Sequence, residues 1–470
     1  MASIYSLPPE IHAQVIPYLS DTDLRNYRLV CKEMAIVGAM EYFRMMKFHA
    51  SSTSVRRLQN MARDEHLRKC VQIFVWDSNL WDINVDTVDG WKQYLSDGWH
   101  NLHLESNYRK RYDTYRLPKH IEEIVDDTEA HVLIHKGHWT DEQATLAGIL
   151  HQDNIHDLLQ QFPALREIRI LNGAFEMKNR GLEKTYIRIE RDTLDLIPRG
   201  DNLFCPDLEH GPLGIHALVR TVEGMSSFMR PWRLEIDALD YTFFTPALYP
   251  EGIAARLDKL TSLTLALCYW RGGPEFTRRG GTANMGEEAK ECKAVLKGKL
   301  FTQFLRSMRN LRSLSLSLQP RVEYGPFDAP GSICDLIPLE EDWTNLRELS
   351  LGHIDTSEQD FIKLFHNHCS TLKKLKLDDI CLVPDGSWIH IFEVIQPISQ
   401  LTSAAFAGQY LYGGCREEPN AQIWWLQGEI GPGLSRCLVR GEECPLRDDN
   451  TVWHGVTSDG YAWIGPEDWD

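Results

Sequence analysis

The segment Leu346-Arg347-Glu348-Leu349-Ser350-Leu351 decides the fold, because it places leucine at its first, fourth and sixth positions. Apolar and polar side chains alternate over its last three residues, which is the pattern of a strand with one buried face. The same pattern occurs in three more segments, Leu260–Leu265, Leu311–Leu316 and Leu372–Leu377. Weaker copies occur at Leu165–Ile170, Leu234–Ile236 and Leu401–Phe406. The repetition predicts a series of similar strands.

Amphipathic helices are predicted between these strands. Apolar residues follow the i, i+3, i+4, i+7 spacing of a single buried stripe in Ile155–Phe162, Phe301–Met308 and Trp388–Ile395. A further helix over residues 55–76 leads into a strand at Val71–Val75.

The spacing of the copies indicates a repeat architecture. The copies that begin at Leu346 and Leu372 lie 26 residues apart, within the range of roughly 20–29 residues that is typical of leucine-rich repeats. The ninth position of the repeat should be buried, and it is Cys268, Ile354 and Ile380 in three copies. We therefore predict an α/β fold with an irregular leucine-rich-repeat solenoid and inserted loops. An ordinary α/β domain rich in leucine is the alternative.

The first fifty residues predict three short helices. Pro9 and Glu10 suit a first helical turn, and Ser20 is suited to cap the second helix. Pro17 falls inside the first helical pattern and predicts that this helix ends near Ile16. Three helices of this size cannot bury all of their apolar surface, so part of it should stay exposed unless another structure covers it.

The N-terminal segment contains Leu7-Pro8-Pro9-Glu10-Ile11, Leu19, Asp23-Leu24 and Arg28-Leu29-Val30-Cys31-Lys32. With these residues it resembles an F-box. In that family three helices bind the Skp adapter of SCF-type (Skp–cullin–F-box) ubiquitin ligases. Glu33-Met34 stands where the family usually has an aromatic residue. The resemblance implies a set of adapter-binding residues: Leu7, Pro8, Glu10, Ile11, Val15, Leu19, Leu24, Leu29, Val30, Cys31 and Lys32. A helical cap on the next domain is the alternative.

An F-box followed by leucine-rich repeats resembles the F-box/leucine-rich-repeat class of substrate receptors, particularly the divergent receptors of filamentous fungi. The segment from Trp343 to Trp388 carries most of the second half of this resemblance. The resemblance implies a non-catalytic receptor that binds a Skp adapter, reaches a cullin through it, and holds an unknown protein target. Such a subunit accelerates ubiquitin transfer by proximity. A Skp-binding scaffold that does not join a cullin is the alternative.

The third, fifth and seventh positions of each repeat strand should face the concave side and form the target-binding face. These positions are mostly small or hydroxyl-bearing in the middle strands, and charge concentrates on one late repeat. A lysine pair there would suit an acidic or phosphorylated group. The candidate target-binding residues are Glu348, Ser350, Lys374, Lys376 and Asp378. The other positions are Glu167, Arg169, Leu171, Ser262, Thr264, Ala266, Ser313, Ser315, Ser317, Gly352, Ser403, Ala405 and Ala407.

Composition narrows the class of partner and the compartment. The chain has 470 residues, with 50 Lys and Arg against 67 Asp and Glu, and a formal net charge of −17. This balance argues against nucleic acid or an anionic membrane as the main partner. The sequence shows no secretory signal, no apolar stretch of about 20 residues and no C-x-x-C pair among its 11 cysteines. We expect reduced thiols and a cytoplasmic or nuclear location, or both.

The motifs of common enzymes are missing. Glu287 and Glu288 follow a phosphate-loop-like glycine spacing where Lys and Ser or Thr are needed. His131, His135 and His138 could share a helical face and bind zinc, but their context suits a strand equally well. His366, His368 and Cys369 fit the end of a helix better than a metal site. We therefore expect no catalytic residue, no metal and no cofactor, and the chain is predicted not to be an enzyme.

The predicted domain organisation has four parts. Residues 1–50 form the adapter-binding helices, and residues 51–160 form a linker with a partly helical insertion and the first strand. Residues 161–408 form the repeats, with exposed loops at 271–293 and 319–342. Residues 409–470 form an acidic, Trp-containing cap and tail. We expect strands at Ile423–Leu426 and Cys437–Val439, followed by twenty loosely ordered residues.

Overall fold

The computed structural model describes residues 8–77, 79–81, 128–150, 154–171, 199–202, 211–226, 230–268, 282–318, 331–340, 343–383, 386–407, 410–413, 422–426, 430–446, 451–457 and 460–463. They form a mixed α/β structure with parallel β-sheet. A boundary between Arg230 and Pro231 divides them into two compact units. The predicted repeat region, residues 161–408, contributes to both units.

The first unit begins with the three predicted helices, α1 (Pro9–Val15), α2 (Asp21–Arg28) and α3 (Lys32–Tyr42). α1 ends before Pro17 and passes into a 3₁₀ turn over Ile16–Tyr18, as the proline predicts. The side chain of Ser20 caps α2, because its Oγ accepts a hydrogen bond from the Asp23 amide at 3.2 Å.

The rest of the first unit combines a short parallel sheet with helices. Its strands are β1 (Met45–Phe48), β2 (Ile73–Asp77), β3 (Asn79–Trp81), β4 (Glu167–Leu171) and β5 (Arg199–Asn202). Its other helices are α4 (Ser52–Arg63), α5 (Glu65–Cys70), α6 (Thr128–Leu150), α7 (Asn154–Gln160) and α8 (Gly211–Ser226). β2 pairs in parallel with both β1 and β4, whereas β3 and β5 pair antiparallel.

Two predictions for this unit need correction. The helix expected over residues 55–76 is two helices, because Asp64 adopts an extended conformation and its side chain caps α5 through the amides of His66 and Leu67. Leu171, expected on the exposed face of its strand, is fully buried and packs with Ile73 and Val75.

The second unit contains the remaining elements. Its strands are β6 (Trp232–Asp240), β7 (Leu260–Cys268), β8 (Ser313–Leu318), β9 (Glu348–Gly352), β10 (Asp355–Thr356), β11 (Lys374–Asp378), β12 (Cys381–Leu382), β13 (Ser403–Ala407), β14 (Tyr410–Gly413), β15 (Gln422–Trp425), β16 (Thr451–Thr457) and β17 (Gly460–Trp463). Its helices are α9 (Thr282–Lys297), α10 (Leu300–Arg306), α11 (Ile333–Leu336), α12 (Glu358–His368), α13 (Trp388–Ile395) and α14 (Ile430–Arg440).

Six strands of this unit pair in parallel in the order β6-β7-β8-β9-β11-β13. The leucines of the repeated pattern occupy matching register positions from strand to strand. One row is Leu263, Leu314, Leu349 and Leu375, and the next is Leu265, Leu316, Leu351 and Leu377. All eight are buried. The repeated pattern therefore predicted the strands and their buried face correctly, since a period of two places alternate side chains on one face.

The turn after the strand also repeats. His353 and Asp379 directly follow β9 and β11, and both adopt positive φ angles, 55° and 48°. Asp and His tolerate this left-handed conformation better than most side chains. The residues that follow, Ile354 and Ile380, are fully buried as predicted, whereas Cys268 at the same position is only half-buried.

A second sheet follows the order β10-β12-β14-β15-β16-β17. β15 confirms the strand expected near Ile423–Leu426. The strand expected at Cys437–Val439 is wrong, because this segment belongs to α14, which buries Leu434, Cys437 and Leu438 at helical spacing. The last twenty residues were expected to be loose, yet they contain β16 and β17.

Helices replace part of both predicted loops. α9 occupies the second half of the loop expected at 271–293 and buries Cys292 and Leu296 one turn apart. α11 lies within the loop expected at 319–342 and buries Ile333 and Leu336. Among the residues that the structure describes, no helix has the length and apolar character that are needed to cross a membrane.

Candidate functional site

Exposed large apolar side chains concentrate at the N-terminus. Within the described part of the chain, eight large hydrophobic side chains are exposed, and seven of them lie on or between α1, α2 and α3. We call these seven the apolar N-terminal surface: Ile11, Val15, Tyr18, Leu29, Val30, Ile36 and Met40. Soluble proteins usually expose such residues singly, so a concentration within thirty residues indicates a binding surface.

The three helices hold together through a small interior beside this surface. Ile16, Leu24 and Met34 are buried there. The Tyr27 hydroxyl and the His12 imidazole, which is itself buried, form a hydrogen bond between α1 and α2. Burial, with a smaller contribution from Cys31, raises the pKa of the Tyr27 hydroxyl above its ordinary value.

Arginine side chains join α2 to α3. The Arg25 guanidinium donates to the Tyr42 hydroxyl at 2.9 Å. The Arg28 guanidinium lies 4.9 Å from the ring centre of Tyr42 and 4.7 Å from that of Phe43, which is a cation–π geometry. Gly38 permits this approach, because a Cβ atom there would lie 2.5 Å from Arg28 Cγ. These contacts keep the helices together while their apolar surface stays exposed.

The structure places the predicted adapter-binding residues in different environments. Leu24 is buried within the helices, while Leu19 and Cys31 are half-buried. Leu7 lies outside the described residues. The exposed members are Pro8, Glu10, Ile11, Val15, Leu29, Val30 and Lys32. The set omitted Tyr18, Ile36 and Met40, although the i, i+4 spacing of Ile36 and Met40 is the signal that could have included them.

The second surface is the exposed face of the parallel strands in the second unit. We call it the polar strand face. One row across it contains Ser262, Ser313, Glu348, Lys374 and Ser403, and the next contains Thr264, Ser315, Ser350, Lys376 and Ala405. None of these ten residues is buried. All five predicted target-binding residues lie on neighbouring positions of this face, on β9 and β11.

The lysines of this face are paired with carboxylates. Lys374 Nζ lies 2.7 Å from Glu348 Oε1 on the adjacent strand, and Lys376 Nζ lies 3.4 Å from Asp378 Oδ2 on its own strand. Glu348 also accepts a hydrogen bond from Ser313 Oγ at 3.3 Å. The two lysines therefore do not form an uncompensated positive patch, since each ammonium group has a carboxylate neighbour.

One group of side chains at the end of β9 and β11 has the composition of a metal site. His353, Asp378 and Asp379 each offer one ligand atom, and these atoms lie within 4.8 Å of one another. His353 Nδ1 and Asp379 Oδ2 are 3.8 Å apart. The Lys376 ammonium group already contacts Asp378, so a divalent cation would compete with it there. Sequence spacing gives no sign of this group, because its residues lie at the ends of two different strands.

The histidines considered from the sequence have ordinary helical settings. His131, His135 and His138 lie on helix α6, so the strand interpretation of this segment is wrong. His368 is buried at the end of α12 and stacks on Trp343 with ring centres 5.9 Å apart. This is the helix-end role predicted for it.

The chain was compared with known protein families and with curated proteins. No protein-family model matches this chain, and no curated protein matches it at a significant level.

Proposed function

We propose that this protein is a non-catalytic substrate receptor of an SCF-type ubiquitin ligase. In this proposal α1 to α3 form an F-box that binds a Skp adapter, and the leucine-patterned strands form a repeat scaffold that binds a protein target. The exposure of the apolar N-terminal surface is the observation that carries the proposal, because it leaves seven large apolar side chains accessible on helices whose sequence resembles an adapter-binding module.

The interior of the helices supports this assignment. α1 to α3 bury Leu24 and Met34 against one another and leave Leu29 and Ile36 exposed. A helical cap on the next domain would be expected to bury its apolar residues within its own chain. Here the exposed residues resemble the central apolar part of a protein–protein interface, where a few side chains supply most of the binding energy.

Co-purification with a Skp adapter tests the first half of the proposal. The variant I11D/L29D changes two exposed side chains, so it should fold like the wild type and bind the adapter at least about tenfold more weakly. L133D is the matched control, because Leu133 is 70% exposed on α6, away from the proposed interface. Equal adapter binding by I11D/L29D and L133D, or no adapter binding by the wild type, would overturn the proposal.

The same purification distinguishes a ligase subunit from a scaffold. A receptor should retain a cullin together with the adapter when both are supplied. Retention of the adapter without the cullin would favour the alternative, a Skp-binding scaffold that does not join a ligase.

The polar strand face is the proposed target-binding surface. Its paired charges at Glu348, Lys374, Lys376 and Asp378 suit a target that carries charges of both signs, since each ion pair can exchange its partner with little change in net charge. The variant K374E/K376E should reduce target capture in cells in which the proteasome is inhibited. K363E is the matched control, because Lys363 pairs with Glu340 on the exposed side of helix α12. Equal capture by both variants would argue against this face.

A further inference from the structure

Two cysteines lie together at the end of helix α14. Cys437 is buried in the last turn of the helix, and Cys444 is half-buried in the segment that follows it. The two thiols lie close enough to alter each other's pKa. Neither thiol takes part in the surfaces described above.

The backbone between them returns toward the helix. Gly441 ends α14 with a φ of 71°, and its amide donates to the Cys437 carbonyl at 3.0 Å. This positive φ is a conformation that glycine adopts without strain. The Gln396 side-chain amide donates to the Glu442 carbonyl at 2.8 Å. The turn and this contact hold the segment with Cys444 beside the helix.

Packing against α14 also positions the residues after Cys444. Pro445 lies against Gly433 of α14, where a Cβ atom would be 3.0 Å from Pro445 Cγ. Ser399 Oγ donates to the Leu438 carbonyl of the same helix at 2.9 Å. α14 also packs against strand β13. The segment that carries Cys444 is therefore held beside the last turns of α14, which carry Cys437.

The two thiols differ in environment. The hydrogen bond from the Cys437 thiol lowers the pKa of Cys444; burial opposes this effect, and a hydrogen bond from the Leu446 amide adds to it. The same thiol–thiol contact, together with burial, raises the pKa of Cys437. The accessible cysteine thus has the greater thiolate character, and the buried cysteine stays protonated beside it.

We propose that Cys437 and Cys444 form a reversible disulfide bond when the protein meets a peroxide. The Cys444 thiolate attacks one peroxide oxygen and the O–O bond breaks. The leaving hydroxide takes up the proton that Cys444 released and becomes water, while Cys444 becomes a sulfenic acid. The Cys437 sulfur then attacks the Cys444 sulfur, the S–O bond breaks, and the Cys437 proton leaves with the hydroxyl group as a second water. Two electrons pass from the thiols to the peroxide oxygens.

A dithiol reductant reverses the bond by thiol–disulfide exchange. The bond would close a ring across the Gly441 turn and join the end of α14 covalently to the segment that follows it. This inference does not depend on the proposed function, because it uses only the two cysteines and the packing around them.

Peptide mapping of the full-length protein tests the proposal directly. Trypsin cleaves after Arg436, Arg440 and Arg447, so the two cysteines fall in separate peptides, residues 437–440 and 441–447. After treatment with hydrogen peroxide and alkylation of the remaining thiols, these two peptides should be linked, and a dithiol reductant should separate them. Their absence as a linked pair, at a peroxide dose that oxidises the exposed Cys334, would overturn the proposal, as would a preferred link to any other cysteine.

Single variants test the order of the steps. C437S should leave Cys444 as a sulfenic acid that a dione probe labels, whereas C444S should leave Cys437 unlabelled because it is buried. C334S is the matched control and should still form the linked peptides. Labelling of Cys437 in C444S, without labelling of Cys444 in C437S, would contradict the assigned roles. The wild-type mapping decides on the bond itself even where a variant fails to fold.

Discussion

The ammonium group of Lys374 lies 2.7 Å from the carboxylate of Glu348, although the two residues belong to different strands. Parallel pairing of β9 with β11 places them directly opposite each other. The side chains are 59% and 45% exposed, respectively. The pair therefore lies on a solvent-accessible face, where a partner's charges can compete for either member.

Removing this ion pair should scarcely affect stability. Exposed pairs contribute between zero and about 1 kcal/mol, because water and salt screen them. We expect K374A to lower the free energy of unfolding by less than about 1 kcal/mol in chemical denaturation, with K363A giving a similar result at its own exposed pair. A much larger loss for K374A alone would mean that the pair has a structural role, and that variants at Lys374 cannot report on binding.

The leucine rows should carry much of the stability of the second unit. Leu351 is fully buried between matching leucines of the neighbouring strands, so L351A should lower the free energy of unfolding by about 2–5 kcal/mol. Ser350 is the adjacent residue on the opposite face, and S350A should change the free energy of unfolding by no more than about 0.5 kcal/mol. Denaturant titration of both variants checks the contrast. Similar losses for the two would mean that the faces are assigned the wrong way round.

Two leucines near the end of α2 should respond in opposite ways. Leu24 is 4% exposed and Leu29 is 84% exposed. We expect L24A to destabilise the protein by about 2–4 kcal/mol because it leaves a cavity, and L29A to stay within about 0.5 kcal/mol of the wild type. Thermal unfolding followed by helical circular dichroism measures both. If L29A were the more damaging change, the apolar N-terminal surface would be part of the core.

Glu358 should make stability depend on pH in the acid range. Burial by itself would raise the pKa of this carboxyl, but hydrogen bonds from the Ser387 amide at 2.8 Å and the His390 imidazole at 2.5 Å hold it below its ordinary value. A carboxyl whose pKa is depressed in the folded state stabilises the fold above its unfolded pKa of about 4.3 and loses this contribution as the pH falls through the lower, folded value.

The stability difference between wild type and E358Q should therefore be largest near neutral pH and should shrink as the pH falls below about 4.3. Urea titrations at several pH values measure it. E340Q is the control, since Glu340 is mostly exposed and forms an ion pair with Lys363. A constant difference between wild type and E358Q across this range would contradict the prediction.

The sequence alone determined where the repeated strands lie and which of their faces is buried. The row that contains Leu351 and Leu377 follows from local spacing, because a strand alternates its faces every residue whatever it packs against. Pro17 and Ser20 likewise determined the end of one helix and the start of the next through their own backbone chemistry. The same spacing assigned Cys437–Val439 to a strand, since over so short a run a strand and a buried helix look alike.

Only the tertiary structure decided which of these residues meet and which stay exposed. Leu24 and Leu29 lie only five residues apart in the sequence, yet Leu24 is buried and Leu29 is exposed. Strand pairing brings Lys374 next to Glu348, and the turn that ends α14 brings Cys444 close to Cys437. Periodicity describes one element at a time, whereas exposure, ion pairing and thiol contacts are properties of the neighbours that folding brings alongside it.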